Sequence, residues 1–277
     1  MFNNKTIGFR VFFYLSLAVI GLYVFFPLYW MLITALKPAS DIFNNTFFPS
    51  KLTLANFHNV ITDLRILRYL QNSLFVSLIS SFFATLVSAY AGYSFSKFKY
   101  TGRKSLMLFL LASRMFPHTV LLLTIYMVMK RFQLLDNYLS LILSFVTFTL
   151  PVGTWTLKTY FDQIPDALIE SAKIDGAGLL TTVHKIIFPL AIPGLISVAI
   201  YGFVWSWNDL LYSLTLITST DKRTLAPGLI LNYMGEFQNN WTNMMAASIV
   251  VSIPVTLMFI FLQRYFIQGL TAGAVKG

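Results

Sequence analysis

The stretch ALIESAKIDGAGLLTTVHKIIFPLAIPG, residues 167–194, holds Glu170, Lys173, Asp175, His184 and Lys185 within an otherwise apolar chain. Of the 277 residues, 57% are hydrophobic, 17% aromatic and only 11% charged, and the mean hydropathy is +0.70. Soluble domains carry about 25% charged residues. A chain of this size cannot hide so much apolar surface from water, so the composition predicts an integral membrane protein, and apolar runs long enough for helical spans make it an all-α one. The polar stretch is then an island between spans, and its reading depends on where those spans run.

A bilayer-crossing helix needs about 20 mostly apolar residues. Six runs qualify: 11–36, 69–96, 105–129, 137–157, 189–214 and 244–263. The first follows Lys5 and Arg10 but is too long for a signal-peptide core and lacks a small-residue cleavage site, so it reads as a retained span. The net charge of +10 does not point to nucleic acid, because the basic residues gather at the ends of apolar runs. With no cysteine there is no disulfide or thiolate metal site, and His58, His118 and His184 lack ligand spacing.

The loop KFKYTGRK, 97–104, carries four basic residues and no acid, which places it in the cytoplasm. Counting spans then puts both termini and 158–188 inside, and 37–68 and 215–243 outside. Eleven Lys and Arg fall inside against eight outside, Arg114 apart. The opening stretch is therefore a cytoplasmic loop of two short helices. Pro165 suits a first helical position. Gly176 and Gly178 end the first helix. A second runs from about Leu179 to Ile187, and Pro189 and Pro193 mark the entry to the fifth span. Leu168, Ile169 and Ala172 share a face. Folding alone gives no reason for such a knuckle. It reads either as a surface loop on the headgroups or as a docking element for a cytosolic partner.

The spacing Glu170-Ser171-Ala172, three residues, Gly176, nine residues, Ile186, one residue, Phe188-Pro189 resembles the EAA loop of permease subunits of bacterial ATP-binding-cassette (ABC) importers. Ser171 stands for an alanine and Phe188 for a leucine, both mild departures. FVWSWNDLLYSLTLI, 203–217, and RYFIQGLTAGAVKG, 264–277, resemble the fifth-span end and the C-terminal signature of the MalG-like carbohydrate permeases. SRMFPHTVLLLTIYMVMKRFQLLDNYLSLIL, 113–143, resembles their third span and following loop, with Arg114 where a polar uncharged residue is expected.

The resemblance implies a MetI-like fold of six transmembrane helices with both termini cytoplasmic, in one domain over 1–277. Its core spans about 69–266, its coupling loop about 159–189 and its tail about 267–277. It implies one half of the pathway for a sugar or oligosaccharide. The partners implied are a second permease of MalF-like type, two ATPase subunits, an extracytoplasmic binding protein and the bilayer, with no nucleic acid. No phosphate-binding loop is present; TGRKS, 101–105, lacks the required glycine. The chain is thus expected to be no enzyme and to carry no cofactor or metal, with ATP and Mg held by the ATPases. Glu170, Ser171, Ala172, Asp175, Gly176, Ile186 and Pro189 are the coupling residues implied. The tail residues Gly269, Leu270, Thr271, Ala272 and Gly273 are implied to meet the ATPases, and Asn232, Gly235 and Glu236 the binding protein.

Other residues keep two readings. Trp205, Trp207 and Asn208 lie near the outer end of the fifth run, as interface anchors or as a sugar-stacking surface. Arg114 lines the pathway or snorkels to the cytoplasmic side. Polar residues of the second run, Asn72, Ser73, Ser77, Ser80 and Ser81, read as helix contacts rather than ligands. The alternative solute is glycerol 3-phosphate or another polyol phosphate. A secondary transporter fits less well, because the spans hold almost no acid. A membrane enzyme lacks any visible catalytic set.

Overall fold

The structure, a computed structural model, describes residues 7–42, 46–49, 51–235 and 239–272, with the backbone alone for 264–272. Glu236 and Gly273 lie outside the described residues. Every regular element described is helical: α1 (Ile7–Ala35), α2 (Ala55–Thr62), α3 (Leu64–Lys97), α4 (Arg103–Ala112), α5 (His118–Arg131), α6 (Tyr138–Asp162), α7 (Asp166–Ile174), α8 (Leu179–Thr182), α9 (Phe188–Leu190), α10 (Ile192–Trp207), α11 (Leu211–Leu216), α12 (Leu225–Tyr233) and α13 (Trp241–Ala272).

Among the described residues four helices are long and apolar enough to span a bilayer, and the total reaches six if each of two bent pairs is one span. The third expected span is not one rod. Its halves, Arg103–Met115 and His118–Arg131, meet at 102°. Pro117 is the cause: it pushes Phe116 into the extended region, at φ −76 and ψ 129, and the helix restarts at His118. The fifth span also differs from expectation. Pro189 belongs to the short α9, and a 79° bend at Ala191 separates Leu179–Leu190 from α10. Pro193 has no N–H for the carbonyl of Pro189, and its ring crowds that carbonyl, so the helix turns there. The span then ends at Trp207, and α11 is a separate element. The connection between the fifth and sixth spans, expected as a loop, contains α12, and the last helix runs on to Ala272 rather than ending before the tail.

The chain divides into two compact units. In the unit of Met1–Ile66 and Leu229–Ile253, α1 is exposed along nearly all its length, as a lipid-facing helix requires. Its C-terminal end is fixed by Asn56, whose Nδ2 donates to the carbonyls of Ala35 at 2.8 Å and Lys37 at 2.9 Å.

In the unit of Leu67–Gly228 and Pro254–Gly277, α3, α6 and α10 form the core. Small residues let them approach. A Cβ on Gly153 of α6 would stand 2.5 Å from Ser88 Oγ of α3 and 2.9 Å from Val198 Cγ1 of α10, so only glycine fits. Ser81 of α3 donates to the Ala199 carbonyl of α10 at 2.6 Å, a helix contact of the type its sequence position predicts. Two apolar clusters fill this unit. One joins α5, α6 and α11 through Met129, Phe145, Phe148, Tyr212 and Leu216. The other sets Val183, Ile187 and Ala191 against Tyr93, Leu157 and Phe161. Their i, i+4, i+8 spacing lays the second half of the polar stretch along the ends of α3 and α6.

Candidate functional site

The knuckle is built from backbone satisfaction outwards. Pro165 caps α7 rather than starting it. At the other end Gly176 takes φ +77, the left-handed conformation that glycine adopts without strain. Two bonds close the turn: Gly176 N–H to the Lys173 carbonyl at 3.0 Å and Ala177 N–H to the Ala172 carbonyl at 2.8 Å. These form a Schellman cap, which satisfies carbonyls that a helix end would leave open. Ala172 is buried and Ile169 packs on the apolar cluster below, whereas Leu168 is exposed, so the expected three-residue face narrows to two.

Glu170, Ser171, Lys173 and Asp175 all face solvent, and none has a side-chain hydrogen bond or ion pair among the described residues. Exposed Ile174, Leu179 and Leu180 stand beside them. A recess of about 280 Å³ opens between the end of α3 and the α7–α8 turn, lined by Lys97, Glu170, Lys173 and Thr182 among others.

The base of the knuckle is tied down by residues that sequence reasoning passed over. Lys97 Nζ donates to the Ile164 carbonyl at 2.6 Å and to Asp166 Oδ1 at 2.7 Å. Ser96 donates to Asp162 Oδ1 at 2.7 Å. The Lys97 ammonium bonds to Asp166 and lies against it, which holds that carboxyl below its usual range. The signal was present in sequence as a lysine ending one long helix and an acid opening a short one. Nothing in the chain order pairs residues 97 and 166.

Beyond the turn, Val183–Ile187 forms one π-helical turn, with Ile186 half-buried. Pro189 has no N–H for the carbonyl of Lys185, and widening the turn relieves the clash between its ring and that carbonyl. His184 sits on this turn between Tyr90 Oη, 2.7 Å from Nε2, and the Leu180 carbonyl, 2.8 Å from Nδ1. It fastens the polar stretch to α3.

Arg114 stands at the bend between α4 and α5. Its guanidinium donates to Tyr201 Oη of α10 and, at 3.3 Å, to the Phe148 carbonyl of α6. Trp205 packs against His118 and Phe148, both with ring centroids 5.2 Å away. Trp207 is buried and stacks on Phe203 at 5.4 Å. Asn208 donates back to the Val204 carbonyl. Tyr201, Trp205 and Asn208 line an open groove of about 580 Å³ with Val204, Leu211 and Phe259, so two of the three residues singled out in sequence at the end of α10 meet there and Trp207 does not.

The opposite end of this unit is closed by its own polar groups. Asp136, at φ +56, accepts from Thr218 N–H at 3.0 Å, Ser219 N–H at 2.8 Å, the Ser219 hydroxyl and Lys222 Nζ at 3.1 Å. Burial works against ionisation of this carboxyl, but the Ser219, Lys222 and Thr218 donors outweigh it and hold it well below the usual range. Asn72 Nδ2 donates to the carbonyls of Asp221 and Arg223, both at 2.8 Å, and Tyr138 donates to its Oδ1. Ser73 accepts from Leu225 N–H and so caps α12. Of the residues expected at the binding protein, Asn232 lies in the other unit, where its Nδ2 is 3.4 Å from Asp63, and Gly235 follows α12 without regular structure.

The comparisons with known proteins agree with this architecture. The sequence profile of the "Binding-protein-dependent transport system inner membrane component" matches residues 82–272. A diacetylchitobiose uptake system permease protein of Streptomyces coelicolor is 32% identical, over 91% of this chain and 92% of its own. A trehalose/maltose transport system permease protein, MalG, of Thermococcus litoralis is 30% identical over 97% of each. In fold, the chain superposes with a TM-score of 0.83 on a chain of a bacterial ABC transporter that imports the acidic polysaccharide alginate, at 19% identity and covering 95% and 99% of the two chains. With four to six apolar spans, a MetI-like helical core and a profile match over most of its length, the chain is a multi-pass membrane protein that belongs to the family of binding-protein-dependent transport system inner membrane components.

Proposed function

We propose that this chain forms half of the membrane pathway of an ATP-driven importer for a di- or oligosaccharide, with ATP hydrolysis on partner subunits. The observation that carries the reading is the α7 knuckle. Its C-terminal end is closed by the Gly176 and Ala177 bonds and its base is tied to α3 by Lys97, while Glu170, Ser171 and Asp175 point outward without side-chain partners among the described residues. A rigid element with unpartnered side chains suits a cleft on a moving ATPase, whose closure must tilt the spans. Small Ser171 and Ala172 allow close approach, and Ile186 and Pro189 shape the turn that returns to the membrane.

In this arrangement the basic end, with Lys97, Lys99, Arg103 and Lys104, faces the cytoplasm, as do both termini. The helix that contains Gly269, Leu270, Thr271 and Ala272 leads, through Gly273, towards the ATPases. Asn232, Gly235 and Glu236 meet an extracytoplasmic binding protein. A second permease of MalF-like type completes the pathway, and the groove with Tyr201, Trp205 and Asn208 borders it. Arg114 organises that wall by bridging α6 and α10, and the buried Trp207 serves packing rather than solute contact. The relatives' saccharide substrates support a sugar over a polyol phosphate.

The test is uptake by the reconstituted complex, with loaded binding protein outside and ATP inside, across a panel of labelled saccharides and glycerol 3-phosphate. ATP-dependent accumulation of at least one saccharide is expected. Accumulation of glycerol 3-phosphate alone would overturn the sugar assignment, and uptake without ATP would overturn the coupling.

A further inference from the structure

In the same unit as the knuckle, an unassigned cleft of about 300 Å³ runs between the end of α3, the start of α4 and the last turns of α6. Its walls are Phe95, Met107, Leu108 and Trp155, and its rim carries Arg103, Lys104 and Lys158. No acid lines it. At the rim it adjoins a second recess of about 340 Å³, which shares Arg103 and Lys104 and adds Lys99, and which also holds no acid. Two carboxylates of this end are engaged elsewhere: Asp162 with Lys158 at 2.6 Å, and Asp166 with Lys97 at 2.7 Å. Lys99, Arg103 and Lys104 have no carboxylate within ion-pair distance among the described residues.

Two features identify the occupant together. Leu108 is 67% exposed and Trp155 48%, and Phe109 beside the cleft is 77% exposed, an apolar opening that suits hydrocarbon rather than water. The cationic recess lies where α3 ends at Lys97 and α6 ends at Asp162, the depth at which a span meets the headgroups. Arg103 also donates to the Phe98 carbonyl at 3.0 Å, yet the cluster keeps a net positive charge; an apolar slot leading to it matches an acyl chain joined to a phosphate, and a net negative headgroup matches it better than a zwitterionic one.

We propose that this cleft is a binding site for one anionic phospholipid, with the acyl chain against Trp155 and Leu108 and the phosphate held by Lys99, Arg103 and Lys104. It rests on membrane placement alone and stands whether or not the solute is a sugar. Binding there sets a lipid against the stretch between Lys97 and Arg103 that anchors the knuckle.

Trp155 is a built-in reporter. The full chain with its co-purifying subunits is placed in phosphatidylcholine vesicles, and brominated phosphatidylglycerol or brominated phosphatidylcholine is added as quencher. The Trp155 signal is the part of the quenching that disappears in Trp155→Phe. Stronger quenching by the glycerol lipid is expected, weakening about fivefold for each of Lys99→Gln and Lys104→Gln. Lys130→Gln, an exposed cation outside the cleft, should leave the preference intact. Equal quenching by the two lipids, or an equal loss in Lys130→Gln, would overturn the site. So would reversal by inorganic phosphate, which assigns the recess to a free anion. Absence of quenching by either lipid would show the cleft covered by another subunit, which also sinks the proposal.

Discussion

The α7 knuckle and the Asp136–Asn72 clasp are both polar, and both depend on residues that a composition count treats alike. In the clasp every strong group is used internally: Asp136 has four donors, Asn72 both of its amide hydrogens and its oxygen, and Ser73 the N–H of Leu225. In the knuckle the helix end is closed by backbone bonds while the Glu170, Ser171 and Asp175 side chains are left over. Polar groups consumed inside a fold hold it in shape. Polar groups left over on a rigid support are available to another molecule. The distinction separates structural from functional polarity without reference to residue type.

The sharpest way to break that comparison is at the knuckle itself. Gly176→Pro cannot adopt φ +77, and Glu170→Ala removes the side chain proposed to meet the ATPase. Uptake is expected to fall to background for both while the protein stays in the membrane. Loss of one partner of a desolvated ion pair costs about 3–5 kcal/mol, a drop of at least a hundredfold in affinity, so recovery of the ATPase in pull-down should fall with uptake. Full uptake by both variants would return the knuckle to the class of structural loops.

At the clasp the expected effect is on stability and not on coupling. Asp136→Asn loses charge-assisted bonds to Lys222 and Ser219 and should lower stability by about 1–2 kcal/mol, read as a lower Tm, with ATPase recovery unchanged. The same carboxyl predicts a pH dependence. Its native pKa is depressed, so the unfolded state binds its proton more readily. The stabilisation is therefore complete above the unfolded value, near 4, and is lost as pH falls below it towards the native value. Wild-type thermal stability should decline in that acid range more steeply than that of Asp136→Asn. Parallel curves would remove the clasp's claim to internal saturation.

The smallest effect is expected where the two classes meet. Asp166 pairs with Lys97 but is 75% exposed in its side chain, and exposed ion pairs contribute little. Asp166→Asn should leave Tm unchanged within error, because Lys97 keeps its bond to the Ile164 carbonyl. A clear drop in uptake at unchanged Tm would move Asp166 from support to coupling.

The sequence by itself determined the class of molecule and the position of its knuckle. Apolar runs of bilayer length read out because each helix satisfies its own backbone, so hydropathy needs no tertiary knowledge. Gly176 and the Glu170–Ala172 spacing read out because a helix cap is local. The straightness of the spans was less legible: Pro117 and Pro193 were visible, but how far each bends a helix depends on what its neighbours fill in. Only the tertiary structure decided which polar residues are consumed. Lys97 finds Asp166 and Asn72 finds Asp221 and Arg223 across many tens of residues, and Trp205 and Trp207, two positions apart, part into a groove wall and a buried stack. Those outcomes depend on which helix faces meet, and a pattern of one chain's periodicities cannot specify a contact between two of them.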